Sequence, residues 1–395
     1  MAHSPNSRKK PPVLVVLQLG GGNDTVNTIV PYADPLYYDN RPNVRINEAD
    51  VLKIDDRFGF HPSMAAIKPF WDAGKMAVIN GVGYPDPNYS HFRSMDIWYT
   101  AQPDFIATDG WLGKAVRDID PKAENVLTAV NFGRGLPRAL SLAGVPVASV
   151  AQLDSYGLLT SLASVDRRNS ALEVFSCMYD DGFNDDGILK PIKHASADDP
   201  MSQVMTYMGQ TGLDAQKGAD ILSTAIGKYS STVEYPKTVI GDSLKGIAQV
   251  KMADLGTRVF YTSHGSFDTH ASQLATHALL WKEISEAVAA FFADLREHDE
   301  ADNVIMLLWT EFGRRVKDNG AGTDHGAGGI AFVLGDPVTG GMYGEYPSLK
   351  EADLTIGNLK YNNDFRMTYS TILERWLGVD AKPIVNGSFE HFAFV

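Results

Sequence analysis

The chain has 395 residues, 44% of them hydrophobic and 21% charged, which rules out wholesale disorder. At about 150 residues per domain that length allows two to three domains, or one large α/β domain carrying insertions. Lys and Arg number 35 against 48 Asp and Glu, and the net charge of −13 argues against nucleic acid or an anionic membrane as a partner.

The first residues, MAHSPNSRKK, are polar and basic, and the apolar stretch 13–19 after them is too short for the core of a signal peptide. No apolar run approaches the roughly 18 residues of a membrane span. As written, the chain reads as untargeted and cytoplasmic. Its one cysteine, Cys177, excludes an intrachain disulfide, a thiolate zinc site and an iron–sulfur cluster.

Stretch 13–19 (VLVVLQL) is β-branched and aliphatic throughout and stops at Gly20-Gly21-Gly22, so it reads as a buried, parallel strand. A helical pattern over 62–73 follows, then a strand at 76–82, helices at 92–101 and 109–118, and a strand at 126–131. Further strands fall at 258–263, 303–310 and 329–334, with helices at 270–298 and 364–377. Buried strands alternating with helices predict an α/β fold, a mostly parallel sheet sandwiched between helices. Residues 151–250 lack a clear strand and carry amphipathic helical patterns at 164–179, 200–229 and 239–255, broken by an acidic loop at 180–186. They read as a helical insertion or cap within a single domain spanning 1–395.

Ligands of open α/β sheets bind beyond the carboxyl ends of the strands. The first strand runs into Asn23 and Asp24, and the second leads to Ser90, His91 and Arg93. The strand at 258–263 leads to His264, Asp268 and His270, the next ends at Glu311 and Arg314, and Asp324-His325 precede the last. Carboxylates and imidazoles without thiolates suit Zn²⁺, Mn²⁺, Mg²⁺ or Ca²⁺.

Each group also has a plainer role open to it. Asp268 can cap the following helix, and Asp324-His325 can be a turn. Asp24 can cap a helix, or its glycine turn can cradle a phosphate, although Gly-Gly-Gly-Asn-Asp-Thr lacks the dinucleotide spacing. Glu311 can pair with Arg314 or Arg315. Ser90 is either a helix cap or a nucleophile at a helix N-terminus, with Arg93 clamping an incoming anion. His277, seven residues beyond His270, lies on the same helical face and can support the site from behind.

Taken together, LGGGNDTVNTIVPY (19–32), FGFHP (58–62), GVGYPDPNYSHFRSMDIWYT (81–100), GWLG (110–113), FDTH (267–270), EFGRR (311–315), GTDHG (322–326) and DFRMTYSTILERWL (364–377) resemble the bacterial domain-of-unknown-function family 1501. Many members of that family are exported through a twin-arginine signal, which implies a periplasmic or extracellular location once a signal is removed. The family is similar in arrangement to the alkaline phosphatase and sulfatase superfamily. That resemblance implies an alkaline-phosphatase-like fold and a metal-dependent hydrolase of phosphate or sulfate esters, with a small-molecule or glycan ester as substrate. It implies one or two divalent cations, Zn or Mn favoured and Ca or Mg also suitable, held among Asn23, Asp24, Asp268, His270, Glu311, Asp324 and His325. In-line attack would come from Ser90, His91 or a metal-bound water, with Arg93, Arg314 and His264 contacting substrate.

The sequence departs from the superfamily where Glu311-Phe312 replaces an Asp-His pair, and the spacing back from Thr100-Ala101 points to His91 as readily as to Ser90. A one-metal hydrolase of an amide, carboxyl ester or glycan, and a metal-stabilised binding protein without turnover, are the alternatives.

Overall fold

The computed structural model describes residues 10–151 and 229–395, together with 153, 167, 170, 218, 221 and 222. Among the described residues twelve strands are formed: β1 Val13–Leu19, β2 Ile29–Val30, β3 Leu52–Lys53, β4 Gly59–Phe60, β5 Met76–Gly83, β6 Ala129–Phe132, β7 Ala148–Val150, β8 Val259–His264, β9 Val304–Trp309, β10 Gly329–Leu334, β11 Gly341–Tyr343 and β12 Asn363–Asp364. Nine of them make the main sheet in the order β11-β5-β10-β9-β1-β8-β6-β7, with β12 also on β5. The short strands β2, β4 and β3 form a separate antiparallel sheet.

β1 is the central strand, paired in parallel with β8 (Leu19 opposite His264) and β9 (Gln18 opposite Trp309). Among the described strands of the main sheet only β10 runs against the others, antiparallel to both β5 and β9. That reversal decides where the last motif lies. Because β10 enters the sheet at the edge where its parallel neighbours leave, the loop 322–326 that precedes it joins the loops that follow β1, β5, β8 and β9.

The alternation of side chains along β1 divides the core in two. Val13, Val15, Leu17 and Leu19 face one layer with Trp281, Ile284, Val288 and Phe291 of the helix Gln273–Glu297 and Leu244 and Ile247 of the helix Val239–Met252. Leu14 and Val16 face the other, with Ile97 and Trp98 of the helix His91–Thr100, Trp111 and Leu112 of the helix Trp111–Ile119, and Tyr369 of the helix Phe365–Thr371. A sheet apolar on both faces needs two such covers, which is why its strands read as continuous hydrophobic runs.

The mostly parallel, helix-flanked sheet predicted from sequence is thus present. The helix expected over 62–73 is instead a short 3₁₀ turn, Pro62–Met64, and a helix Lys68–Asp72. The helix expected at 239–255 is Val239–Met252. The patterns at 164–179 and 200–229 and the acidic loop at 180–186 lie largely or wholly outside the described residues. Among the described residues no helix is long and apolar enough to cross a membrane.

Candidate metal centre

Three histidines from three loops meet around one carboxylate oxygen. His91 opens the helix His91–Thr100, His270 and Asp268 follow β8, and His325 precedes β10. Their Nε2 atoms lie 3.5 Å (His91), 3.0 Å (His270) and 3.2 Å (His325) from Oδ1 of Asp268. The Nε2 atoms of His270 and His325 are 3.0 Å apart. One donor atom each from His91, Asp268 and His325 fall within 4.8 Å of one another.

The other nitrogen of each ring is held by an oxygen. Nδ1 of His91 donates to Oε1 of Glu311 at 2.8 Å, Nδ1 of His270 to Oδ1 of Asp324 at 3.2 Å, and Nδ1 of His325 to the Tyr89 carbonyl at 2.7 Å. A carbonyl and an ionised carboxylate only accept, so Nδ1 carries the proton in each ring and a neutral ring presents a lone pair at Nε2. Nε2 of His91 is buried and has no hydrogen-bond partner among the described residues. An orphaned nitrogen aimed at a carboxylate and flanked by two more imidazoles fits a divalent ion, each ring oriented from behind by an acceptor.

The loops explain the convergence. Gly21 (φ 120°) and Gly22 (φ 76°) turn the chain after β1, and a Cβ on Gly21 would lie 2.4 Å from the Asp268 backbone nitrogen. The glycines therefore allow the β1 and β8 loops to touch, rather than cradling a phosphate. The turn also delivers the Gly21 N–H to Oε1 of Glu311 at 2.9 Å, while Thr310 Oγ1 donates to Oε2 at 3.1 Å. Glu311 is buried, and its hydrogen bond raises the pKa of His91. Asp268 feels the opposite. Burial works against its charge, but the hydrogen bond and charge of Arg314 prevail and hold the pKa at about 2. Asp324 is also lowered, chiefly by the Asn319 amide.

Several predicted site residues lie elsewhere. Asp24 is fully buried, caps the short helix Thr25–Thr28 through Val26 N, and binds Arg41 with both oxygens, with Gln273 Nε2 2.5 Å from Oδ2. Its lone pairs are spent, so it is a structural anion and not a metal ligand. Asn23 points the same way: Oδ1 accepts from Trp281 Nε1 and Thr28 Oγ1, both at 3.1 Å, and lies 3.1 Å from His277 Nε2. His277 is accordingly a core histidine beneath the first loop, against His61 (ring centroids 5.1 Å apart), and does not support the centre.

Arg93 is committed to Asp96 (2.8 Å) and to the carbonyls of Pro103 (3.0 Å) and Phe105 (3.1 Å), so it braces a loop instead of clamping an anion. His264 lies 3.1 Å from Glu283, which it faces as an ion-pair partner. Arg314 reaches the centre from inside, sealed from solvent, and touches Asp268 rather than an incoming substrate. Glu311 stands behind His91 as its acceptor, and Asp324 stands behind His270.

Ser90 is exposed, and its side chain makes no capping hydrogen bond. Asp268 is not a helix cap, because that place before Gln273–Glu297 belongs to Ser272. The sequence reading missed Arg41, Gln273 and the Tyr89 carbonyl. Nothing local marks the first two, and a backbone acceptor carries no sequence signal.

This is an α/β protein with a histidine-rich centre at one sheet edge, and its solved structural neighbours include sulfatases and phosphatase-type enzymes. The sulfatase PsFucS1 from Pseudoalteromonas sp. matches at 12% identity and TM-score 0.40 over 97% of this chain and 71% of that one. The phosphonate monoester hydrolase SpPMH from Silicibacter pomeroyi matches at 12% and 0.34, over 96% and 76%. The protein Ps i-CgsB, in complex with k-i-k-neocarrahexaose, matches at 11% and 0.38, over 97% and 75%.

In sequence, residues 190–382 match the model of the family described as protein of unknown function, DUF1501. The match takes in Asp268, His270, Glu311, Arg314, Asp324 and His325. It also begins inside the 151–250 segment, where no motif is legible. No curated protein matches the chain.

Proposed function

We propose that the chain is a metal-dependent hydrolase of phosphate or sulfate esters. The observation that carries this reading is the convergence of three imidazole Nε2 atoms on Oδ1 of Asp268 while each Nδ1 is tied to an oxygen. With each Nδ1 holding its proton against an oxygen, three Nε2 lone pairs and a carboxylate oxygen face one point, the donor set that a divalent ion collects. His91, Asp268 and His325 would hold a single ion of the Zn²⁺ or Mn²⁺ type, leaving a position open as catalytic sites do. A divalent ion there supplies charge that polarises an ester oxygen and acidifies a water molecule.

The chain's own groups do the rest. Glu311 fixes the ring of His91, and the Tyr89 carbonyl fixes that of His325. His270, with a side chain 45% exposed, donates its Nδ1 proton in a hydrogen bond to Asp324 and would accept a proton at Nε2 from water as general base. Ser90, with no bond to any of these groups among the described residues, is left out of the chemistry. A periplasmic or extracellular location, if a signal peptide has been removed, belongs to the same proposal.

The test is a screen of aryl phosphate and aryl sulfate esters against protein stripped by chelation and reloaded with Zn²⁺ or Mn²⁺. Turnover that disappears on stripping, returns on reloading and is absent in Asp268→Asn supports the reading. Turnover indifferent to chelation overturns it.

A further inference from the structure

Arg314 is fully buried, and its guanidinium is surrounded by oxygens. Nε donates to the Gly22 carbonyl at 2.7 Å and Nη1 to that of Thr323 at 3.0 Å. Nη2 meets the carbonyls of Gly21 (2.5 Å) and Phe267 (3.0 Å) and Oδ1 of Asp268 (2.6 Å). Four backbone carbonyls and a carboxylate make the kind of donor set that a hard metal ion collects. Here an organic cation fills it. Oδ1 of Asp268 therefore has a positive group on its inner side and the imidazole Nε2 atoms on its outer side.

Asp24 repeats the arrangement one loop away. Arg41, also fully buried, binds both of its oxygens and completes its own shell with the carbonyls of Val316 and Arg315, each at 2.9 Å. Two-metal hydrolytic centres need several carboxylates with free lone pairs converging on ions about 4 Å apart. In this chain the acids that follow β1 and β8 are each already neutralised by a buried guanidinium.

We infer that Arg314 is a built-in second cation: the centre takes one divalent ion and no more, and Arg314 positions the Asp268 oxygen that ligates it. The inference rests on the hydrolase reading for the ion itself but makes a separate statement about number. Arg314 touches neither substrate nor reacting atoms, so it is a positioning residue whose signature is metal stoichiometry rather than rate.

The experiment is a titration of the stripped full chain with Mn²⁺, read by elemental analysis and electron paramagnetic resonance. A single Mn²⁺ per chain with the hyperfine pattern of an isolated ion is expected for wild type and for Arg314→Lys. In Arg314→Ala, a second ion with an exchange-coupled spectrum is expected. Two coupled ions in wild type, or a folded Arg314→Ala that still takes only one, would overturn the inference while leaving the hydrolase reading intact. No bound ion at all overturns both. Should Arg314→Ala fail to fold, the wild-type stoichiometry and spectrum still decide.

Discussion

Nδ1 of His91 lies 2.8 Å from Oε1 of Glu311, and the same oxygen accepts the backbone N–H of Gly21 at 2.9 Å. The β1 turn, the β9 end and the first residue of the helix His91–Thr100 are therefore tied together behind one ring. Replacing Glu311 by Gln removes the charge that favours the Nδ1 proton and loosens the ring. Metal affinity should fall about 10–100-fold, the usual cost of losing a partner behind a ligand. Competition with a chromophoric chelator measures it, and an unchanged affinity contradicts the assignment.

Asp24 and Arg41 predict the opposite pattern. Arg41→Met leaves a carboxylate buried without its partner, which costs about 3–5 kcal/mol. The double variant Arg41→Met/Asp24→Leu should recover much of that in urea unfolding. Asp24→Asn should leave metal content unchanged, and a loss of metal there would return Asp24 to the ligand set.

Ser90→Ala should be silent. The side chain is exposed and caps nothing, so stability should change by no more than about 0.5 kcal/mol. Turnover and metal content should persist. Complete loss of turnover with metal retained would restore the serine nucleophile.

His61 and His277 make the fold acid-sensitive away from the centre. Burial pushes His61 from 6.5 down to about 4, and burial together with the neighbouring His61 pushes His277 down to about 3. Both rings are neutral when folded and take up protons readily when unfolded. Their contribution is therefore fully present above pH 6.5 and drains away as pH falls towards 4 for His61 and towards 3 for His277. For His61 the shift corresponds to about 3 kcal/mol at most. Melting temperature should drop between pH 7 and 5 more steeply in wild type than in His277→Gln, and parallel curves would contradict this origin.

Much of the fold was legible because a sheet buried on both faces imposes continuous apolar runs, and β1, β5, β8, β9 and β10 all carry them. Asp268, His270 and His325 were legible because chemistry collects beyond the strand ends. The direction of β10 was not readable, since antiparallel pairing leaves no mark in GIAFVL, yet it is what brings His325 into place. Asn23 and Asp24 misled for a physical reason. A strand-end acid can turn inward as easily as outward, and what turns Asp24 inward is Arg41, 17 residues away with no motif around it. His91 rather than Ser90 meets the carboxylates because the helix begins at His91, a matter of one residue of register.

The X-ray absorption spectrum of the zinc-loaded protein tests the centre most directly. A shell of nitrogen and oxygen donors at about 2.0–2.2 Å is expected, with the multiple scattering of imidazole rings. That scattering should weaken in His325→Ala and the metal should be lost in Asp268→Asn. A zinc shell without imidazole scattering, or one unchanged in both variants, would contradict such a centre.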